Sequence, residues 1–291
     1  MPLYIRRLPC SLYGMMVDEK TLPNNISLYN PSKSQNWLYI RKTELNNTGE
    51  INSIAMKHNN GSIVNIESPY DLLVKTVNLF RGLEDLRICE FKERVWFSAA
   101  CTHISDNMDN ELVIGIFNKD VSGIEKVQMV DIGSKPVKNV IPFVFNDTLL
   151  LLDIYLKKIY ELKTEEETGK WYVTVYKNLQ PAAGISNEKY RGSSAPIHIN
   201  GTVFGCVAHD IIFNDNNVLV TRLSYIHHWI EFDIVTGLIT FISTPFWIYH
   251  WGIEYVSGIE KTEKGIDLYL GIRDKIPMRV ETSLSNLRIG K

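Results

Sequence analysis

The dominant pattern along the chain is an alternation of apolar and polar residues with a period of two. It is clearest in short runs rich in β-branched and aromatic residues, at 37–41, 95–98, 171–176 and 268–272. This alternation is typical of β-strands, because successive side chains of a strand point to opposite faces of a sheet. A helical period is rare, and its best candidate is the segment 70–79. The sequence therefore predicts an almost entirely β protein.

A weak repeat runs through this pattern. Each unit opens with a short polar motif, and two alternating strands joined by an Asn- or Gly-containing turn follow it. The openings can be marked by Pro31, Asp85, Asn139, Ser193 and Tyr255, which lie 54, 54, 54 and 62 residues apart. Units of this size suit four-stranded blades, so the sequence predicts one domain over residues 1–291, a five-bladed β-propeller with a central channel. The alternative is a β-sandwich, or two small β-domains, with accidental spacing.

A propeller must close its ring, usually with strands from both ends of the chain in one blade. The segment 2–8 has the composition of such a strand. We therefore expect segment 2–8 to lie beside the last blade, which residues 240–275 are predicted to form.

Charge and cysteine content narrow the function classes. The formal net charge is -2, from 31 basic and 33 acidic residues, so there is no excess of positive charge for general binding of nucleic acid. No run approaches the roughly 20 apolar residues of a membrane helix, and no membrane span is predicted. The four cysteines are far apart and form no Cys-x-x-Cys pair. This favours reduced thiols and a cytoplasmic location.

The repeat also predicts where the chemistry lies. Residues that open successive blades meet at one mouth of the channel, although they are far apart in sequence. Carboxylates and amides in such a ring can bind sugar hydroxyls, and aromatic faces can stack on sugar C–H surfaces. The candidate catalytic residues are Asp85 and Glu254. The candidate substrate-binding residues are Asn30, Arg41, Glu84, Arg87, Lys138, Asn139, Arg191, Ser193, His209 and Tyr255.

The segment containing Asp85 allows two interpretations. Asp85 and Arg87 are two residues apart on a predicted strand and share one face, so Arg87 could orient a carboxylate for proton transfer. Alternatively, Glu84, Asp85 and Arg87 form a buried ion-pair network between two blades. The blade-opening position of Asp85 favours the catalytic interpretation for that residue.

These motifs resemble the five-bladed propeller family of β-mannoside phosphorylases and hydrolases, with their related β-mannosyltransferases. The segment 81–88 is similar to the Glu-Asp-Pro-Arg element of that family, and the resemblance implies that Asp85 is the catalytic aspartate. Asn30-Pro31-Ser32 with Arg41 is similar to the motif that contacts the donor sugar. Motifs similar to those of the remaining blades include Lys138-Asn139, 192–197 with His209, and 268–274.

Two departures from the family pattern affect the expected activity. Leu86 stands in place of the usual proline, and Leu152-Asp153 stands where the phosphorylases have a His-Arg pair. In those enzymes basic residues hold the attacking phosphate, so this departure weakens the phosphorylase interpretation.

The function predicted from the sequence is therefore an inverting glycosyltransferase. Asp85 or Glu254 would accept the proton of the acceptor hydroxyl, and Arg41, Arg191 or Lys138 would stabilise the departing diphosphate. No Asp-x-Asp triplet occurs, so we expect neither a metal nor another cofactor. The predicted partners are a nucleotide sugar or sugar phosphate and a glycan acceptor.

Two other functions stay open. The first is a β-mannoside phosphorylase or hydrolase, in which Asp85 protonates the glycosidic oxygen. A hydrolase also needs a second carboxylate to activate water, for which Glu254 is the candidate. The second is a propeller that binds a glycan without catalysis.

Overall fold

The structure is a computed structural model. It describes residues 5–14, 27–29, 38–46, 49–57, 63–66, 80–103, 110–119, 123–133, 138–214, 222–249, 252–272 and 276–290. The predicted helical segment 70–79 lies outside these ranges.

The described chain is almost entirely β, as the alternation predicts. Two short strands near the N-terminus come first and join sheets formed by later parts of the chain. They are β1 (Arg6–Arg7) and β2 (Ser11–Gly14).

Three four-stranded antiparallel sheets follow, each with its strands paired in chain order. Sheet 1 contains β3 (Ser27–Tyr29), β4 (Leu38–Asn46), β5 (Gly49–Lys57) and β6 (Ile63–Ile66). Sheet 2 contains β7 (Phe80–Phe91), β8 (Arg94–His103), β9 (Asn110–Phe117) and β10 (Ile124–Val130). Sheet 3 contains β11 (Ile141–Phe145), β12 (Thr148–Asp153), β13 (Lys158–Thr164) and β14 (Trp171–Asn178).

Sheet 4 has eight strands, because its first strand is split in two and short segments are added. Its members after β1 are β15 (Gln180–Pro181), β16 (Arg191–Gly192), β17 (Ile197–Asn200), β18 (Val203–Asn214), β19 (Arg222–Asp233), β20 (Leu238–Ile242) and β21 (Phe246–Trp247). Sheet 5 contains β22 (Glu254–Thr262), β23 (Gly265–Ile272), β24 (Ile276–Thr282) and β2. The short helix α1 (Leu284–Leu287) ends the described chain.

The N-terminal segment reaches the last two sheets. Strand β1 pairs in parallel with β21 of sheet 4, with Arg6 opposite Phe246. Strand β2 pairs antiparallel with β24 of sheet 5, with Ser11 opposite Glu281. The strand on the last sheet is therefore 11–14, a few residues beyond the predicted segment 2–8.

The apolar core lies between consecutive sheets. One cluster joins Leu112 of sheet 2 to Leu151 of sheet 3, and another contains residues of sheets 3 and 4. A further cluster packs Val207 of sheet 4 against Val256 of sheet 5. Strands β22, β23 and β24 of sheet 5 also contact β3 of sheet 1. The first strands of the sheets also contact one another: β7 contacts β3, β11 and β22, and β22 contacts β3 and β17. We call these first strands the inner strands.

The four cysteines are free thiols. None of the described helices has the length and apolar character that spanning a lipid bilayer requires.

Candidate functional site

Strand β7 is irregular at the position of Asp85. Its pairing with β8 shifts register between Phe80 and Leu83, and again between Glu84 and Arg87. Asp85 has a φ of 53°, in the left-handed region that side-chain-bearing residues rarely adopt. Bulges of this kind re-aim side chains and are common beside active sites. The Asp85 side chain is partly buried.

Asn139 has a similar backbone conformation. It directly precedes β11 of sheet 3 and has a φ of 61°. Aspartate and asparagine tolerate this region better than other non-glycine residues. Left-handed backbone therefore occurs within the first strand of sheet 2 and just before the first strand of sheet 3, at residues that the repeat also marks.

Arg87 is the centre of a buried hydrogen-bond network. Its side chain is only 1% exposed, although arginine is almost never fully buried. Its Nε donates to the carbonyl of Ser193 at 2.7 Å, and its Nη1 donates to the carbonyl of Asp85 at 2.8 Å. Its Nη2 donates to the hydroxyl of Tyr255, and the guanidinium lies 5.0 Å from the centre of that ring. One side chain thus joins sheets 2, 4 and 5.

Tyr255 extends the network to sheet 3. Its hydroxyl donates to Oδ1 of Asn139 at 2.5 Å. Both residues are buried, so these bonds are shielded from water. The opening residues of four sheets therefore meet, although they are far apart in sequence.

Ser193 and His209 form a buried pair in sheet 4. Oγ of Ser193 lies 2.7 Å from Nδ1 of His209. Burial lowers the pKa of His209 well below 6.5, and the charges of His227, Arg191 and Arg87 lower it further. The imidazole is therefore neutral at physiological pH. We call Arg87, Asn139, Ser193, His209 and Tyr255 the central polar cluster.

Charged side chains lie around this cluster. Nζ of Lys138 lies 3.8 Å from a carboxylate oxygen of Glu84, with 42% and 16% of the two side chains exposed. Arg191 is exposed and pairs with His209 across β16 and β18. We call Glu84, Asp85, Lys138 and Arg191 the entry rim. Two acidic and two basic groups thus border the cluster.

Glu254 lies apart from these groups. It begins β22, but its carboxylate is 0% exposed and accepts hydrogen bonds from the backbone amides of Ile248 and Tyr249. Burial raises the pKa of Glu254, but His227 at 3.5 Å and the two amides outweigh burial, so the pKa lies below its usual range. The carboxylate thus holds the backbone at 248–249, just before sheet 5. The catalytic role of Glu254 stays a prediction.

Two of the candidate residues belong to the region of sheet 1. Arg41 lies on β4, opposite Ser27 of β3. Asn30 lies outside the described residues.

Tyr225 is a site residue that the sequence patterns did not indicate. Its ring stacks on His209 at 5.1 Å and meets Tyr255 edge-on at 6.4 Å. It lies on β19, the third strand of its unit, so the search for opening residues passed over it. A half-buried aromatic ring beside polar groups can stack on a sugar.

Gly192 marks the close approach of sheets 3 and 4 beside the cluster. A Cβ atom there would lie 2.7 Å from the carbonyl oxygen of Asn139 and 2.8 Å from Cδ1 of Ile141. Because one of these atoms belongs to the backbone, the Gly192→Ala substitution forces the sheets apart. We expect it to lower the free energy of unfolding by about 1–3 kcal/mol in chemical denaturation.

Gly123→Ala is a matched control, because its Cβ would meet only the flexible side chain of Asn118, at 3.2 Å. Equal stabilities of the two variants would contradict the close approach at Gly192.

The neutral state of His209 predicts a pH dependence of stability. In the unfolded chain the His209 imidazole takes up a proton near pH 6.5. In the folded chain the same imidazole stays unprotonated to a much lower pH. The stabilising contribution is therefore complete above pH 6.5 and declines as the pH falls below it. We expect the melting temperature to fall between pH 7 and 5, a window above the titration of the lowered Glu254.

The His209→Asn variant should show a flatter profile across this window. Part of the slope will persist, because burial lowers the pKa of His228 to about 4. Identical pH profiles for the variant and the original protein would show that His209 does not cause the effect.

Within the described ranges, no group of three or more His, Cys, Asp or Glu side chains is arranged to hold a metal ion. The fold and the cluster together define a β-sheet protein with a polar site where the inner strands begin.

The fold of this chain is similar to that of several solved structures. No family model matches the chain, and no curated protein matches it. The structure is similar to a mannose phosphorylase from Leishmania mexicana solved with phosphate ion, with a TM-score of 0.60, 12% identity, and coverage of 96% of this chain and 89% of that one. It is also similar to a GDP-Man-dependent mannosyltransferase from Leishmania mexicana, with a TM-score of 0.55, 12% identity, and coverage of 89% and 85%.

A third similar structure is from the GH130 family of mannoside phosphorylases, which contains glycoside hydrolases that target β-1,2-mannosidic linkages. Its TM-score is 0.53, with 12% identity and coverage of 90% of this chain and 85% of that one. The predicted resemblance to mannoside phosphorylases and hydrolases is therefore confirmed at the level of the fold.

Proposed function

We propose that the five sheets are the blades of one five-bladed β-propeller formed by residues 1–291. Three observations support this proposal: the order of the sheets along the chain, the contacts of sheet 5 with β3, and the pairing of β2 with β24. In this arrangement the N-terminal strand β2 would close the ring.

We further propose that the protein transfers a glycosyl group between a sugar hydroxyl and a phosphate, as a β-mannoside phosphorylase. The observation that carries this proposal is the placement of Asp85, Lys138 and Arg191 next to members of the central polar cluster. The carbonyl of Asp85 accepts from Arg87, Lys138 directly precedes Asn139, and Arg191 pairs with His209 across β16 and β18. A proton donor and cations beside one polar site are the groups that phosphorolysis requires. The fold shared with a mannose phosphorylase supports the choice of a mannoside.

In the proposed reaction Asp85 donates its proton to the glycosidic oxygen as the bond from that oxygen to the anomeric carbon breaks. An oxygen of inorganic phosphate bonds to the anomeric carbon from the opposite face, so the configuration inverts. A β-mannoside therefore yields α-mannose 1-phosphate and a sugar with a free hydroxyl group. The proton of the attacking phosphate restores Asp85. Lys138 and Arg191 hold the phosphate, and Tyr225 stacks on the sugar.

The placement of Glu254 argues against simple hydrolysis. An inverting hydrolase needs a second carboxylate that activates water about 6.5–9.5 Å from the first. Glu254, the candidate for this role, is buried with its oxygens bound to backbone amides. A phosphorylase has no such requirement, because phosphate itself is the nucleophile.

Leu152-Asp153, which stands where the phosphorylases have a His-Arg pair, provides no positive charge for binding phosphate. Leu152 is fully buried. Asp153 is also buried, and its Oδ1 accepts a hydrogen bond from the backbone amide of Leu156 at 2.9 Å. The proposed phosphate site therefore depends on Lys138 and Arg191.

A glycosyltransferase, the function predicted from the sequence, is the second candidate. The fold shared with a GDP-Man-dependent mannosyltransferase supports this candidate. A transferase breaks a bond between the anomeric carbon and a phosphate oxygen, which is the kind of bond that a phosphorylase forms. In that reaction the carboxylate of Asp85 would accept a proton and the cations would stabilise the diphosphate. The cytoplasmic location stays a prediction.

The two candidates can be separated by following the phosphate. The protein is incubated with β-linked mannobiose and inorganic phosphate, and in parallel with GDP-mannose and mannose, while ³¹P NMR detects products. Phosphate-dependent formation of α-mannose 1-phosphate supports the phosphorylase. Release of GDP with formation of a mannoside supports the transferase, and phosphate-independent cleavage of mannobiose would overturn both proposals.

The cations provide a further test. Lys138→Ala and Arg191→Ala should each raise the KM for phosphate about tenfold or more, because each removes a charged hydrogen-bond donor. Lys92→Ala is the matched control, since Lys92 lies in an exposed turn and pairs with Asp147. An unchanged KM for phosphate in both rim variants would remove these residues from the site.

A further inference from the structure

A second concave site lies at the opposite end of the inner strands. It is a cavity of about 560 Å³, and its walls come from sheets 2, 3, 4 and 5. Cavities of this size are within the range that holds small organic ligands. We call it the far cavity.

The far cavity and the central polar cluster use the same strands at different positions. Arg87 and Tyr255 of the cluster are followed along their strands by Cys89 and Ile259 of the cavity. Likewise, Asn139 precedes the cavity residue Phe143. Since a strand rises about 3.3 Å per residue, the cavity lies roughly 7–13 Å further along the strands. The buried cluster therefore lies between the entry rim and the far cavity.

One part of the far-cavity wall is apolar. Pro142, Phe143, Pro196 and Ile259 line it and are all buried. The ring of Phe143 packs edge-on against Phe204, another lining residue, at 5.5 Å. Flat proline and aromatic surfaces of this kind suit the C–H face of a sugar ring.

Acidic and basic side chains border these walls. Glu90 of sheet 2 and Glu260 of sheet 5 supply carboxylates, and Lys261 supplies an ammonium group. Oε2 of Glu260 accepts a hydrogen bond from the hydroxyl of Tyr269 at 3.2 Å, and its carboxylate has further lone pairs for a ligand. His198 of sheet 4 lines the cavity with its Nε2 bound to the carbonyl of Gly201 at 2.9 Å. An anionic ligand would face two carboxylates, and a fully apolar ligand would desolvate these groups without satisfying them. A ligand with hydroxyl groups can both donate to the carboxylates and accept from the ammonium group.

We propose that the far cavity is a second binding site, distinct from the entry rim, for a neutral sugar of one or two rings. The apolar walls hold the C–H face of the sugar, while Glu90, Glu260 and Lys261 bind its hydroxyl groups. Binding there requires no catalytic step, so it can be tested whether or not the protein is a phosphorylase.

The test uses protein labelled at the δ1-methyl groups of isoleucine. Ile88, Ile197 and Ile259 line the far cavity, whereas Ile114 lies in the core between sheets 2 and 3. Mannose, glucose, mannobiose and cellobiose are titrated to about 50 mM, well above the millimolar dissociation constants of weak sites. Saturable shifts of the three cavity methyl signals, with Ile114 unchanged, are expected for at least one sugar. Absence of such shifts with all four sugars would overturn the proposal.

Variants assign the binding to this cavity. Val144→Trp fills the cavity from β11 and should abolish the shifts, whereas Asp85→Asn at the entry rim should leave them intact. Val144→Trp should also leave any turnover at the entry rim unchanged. Shifts that persist in Val144→Trp but vanish in Asp85→Asn would place the sugar at the entry rim and refute a second site.

A charge-neutral pair of substitutions tests the polar groups even if the tryptophan variant does not fold. Glu90→Gln with Lys261→Met should weaken sugar binding about tenfold, because two hydrogen bonds lose their charged partner. Glu263→Gln with Lys264→Met makes the same change in charge at the exposed turn between β22 and β23, and should have no effect. Equal affinities for the two double variants would refute the assigned hydrogen bonds.

Discussion

Asp85→Asn is expected to lower turnover by 10²–10⁴-fold while the melting temperature changes little. This is the usual contribution of a general acid or base, about 3–5 kcal/mol of activation free energy. The fold should survive because asparagine has nearly the same shape and tolerates the φ of 53° at this position at least as well as aspartate. The measurement is turnover in whichever assay detects product, with thermal denaturation of the same preparation.

Asp147→Asn is the matched control for this substitution. Asp147 also has a left-handed φ, 55°, but it lies in an exposed turn of sheet 3. It therefore reports the effect of the same chemical change on the same backbone conformation away from the site. If Asp85→Asn melts early and keeps its turnover per folded molecule, Asp85 is a structural residue and the proposed mechanism is wrong.

Arg87→Met is expected to produce the largest loss of stability. Methionine fills much of the space, but the buried carbonyl of Ser193 and the hydroxyl of Tyr255 both lose their donor. Buried hydrogen bonds to a charged group are worth about 1.5–3 kcal/mol each, so the free energy of unfolding should fall by about 3–5 kcal/mol. For a domain of this size, that corresponds to a melting temperature lower by roughly 10 °C.

Lys92→Met is a suitable control, because Lys92 is 63% exposed and its ion pair with Asp147 is 3.6 Å long. Exposed pairs contribute little, and the melting temperature should hardly change. Turnover of Arg87→Met is measured well below its own melting transition. A melting temperature equal to that of the control would show that the buried network does not stabilise the contacts among sheets 2, 4 and 5.

The structure gives Arg87 contacts that neither interpretation of the Asp85 segment included. Arg87 is buried and donates to backbone carbonyls and to the hydroxyl of Tyr255. Asp85 is partly buried at a bulge on the entry rim, a position that suits proton transfer. The sequence could not distinguish the roles of the two residues, because period-two alternation does not reveal the bulge between Glu84 and Arg87.

The sequence alone determined the β-class and the regions that meet. Period-two alternation depends only on the geometry of the extended chain, so it is visible wherever one face of a strand is buried. The spacing of 54 residues marks Asp85, Asn139 and Ser193, and hydrogen bonds of Arg87 and Tyr255 connect these three residues in the structure. These features are local or repeated, so they can be recognised directly in the amino-acid sequence.

Only the tertiary structure decided what the individual side chains contact. Glu254 opens its strand as the repeat requires, yet the backbone amides of 248–249 fold over its carboxylate and bury it. Tyr225 joins the site from a later strand, and the far cavity combines the distal ends of four inner strands. These outcomes depend on distances between segments that no local pattern encodes. Burial, hydrogen bonding and electrostatic interactions depend on distances between side chains. For residues far apart in sequence, those distances are set only when the sheets pack together.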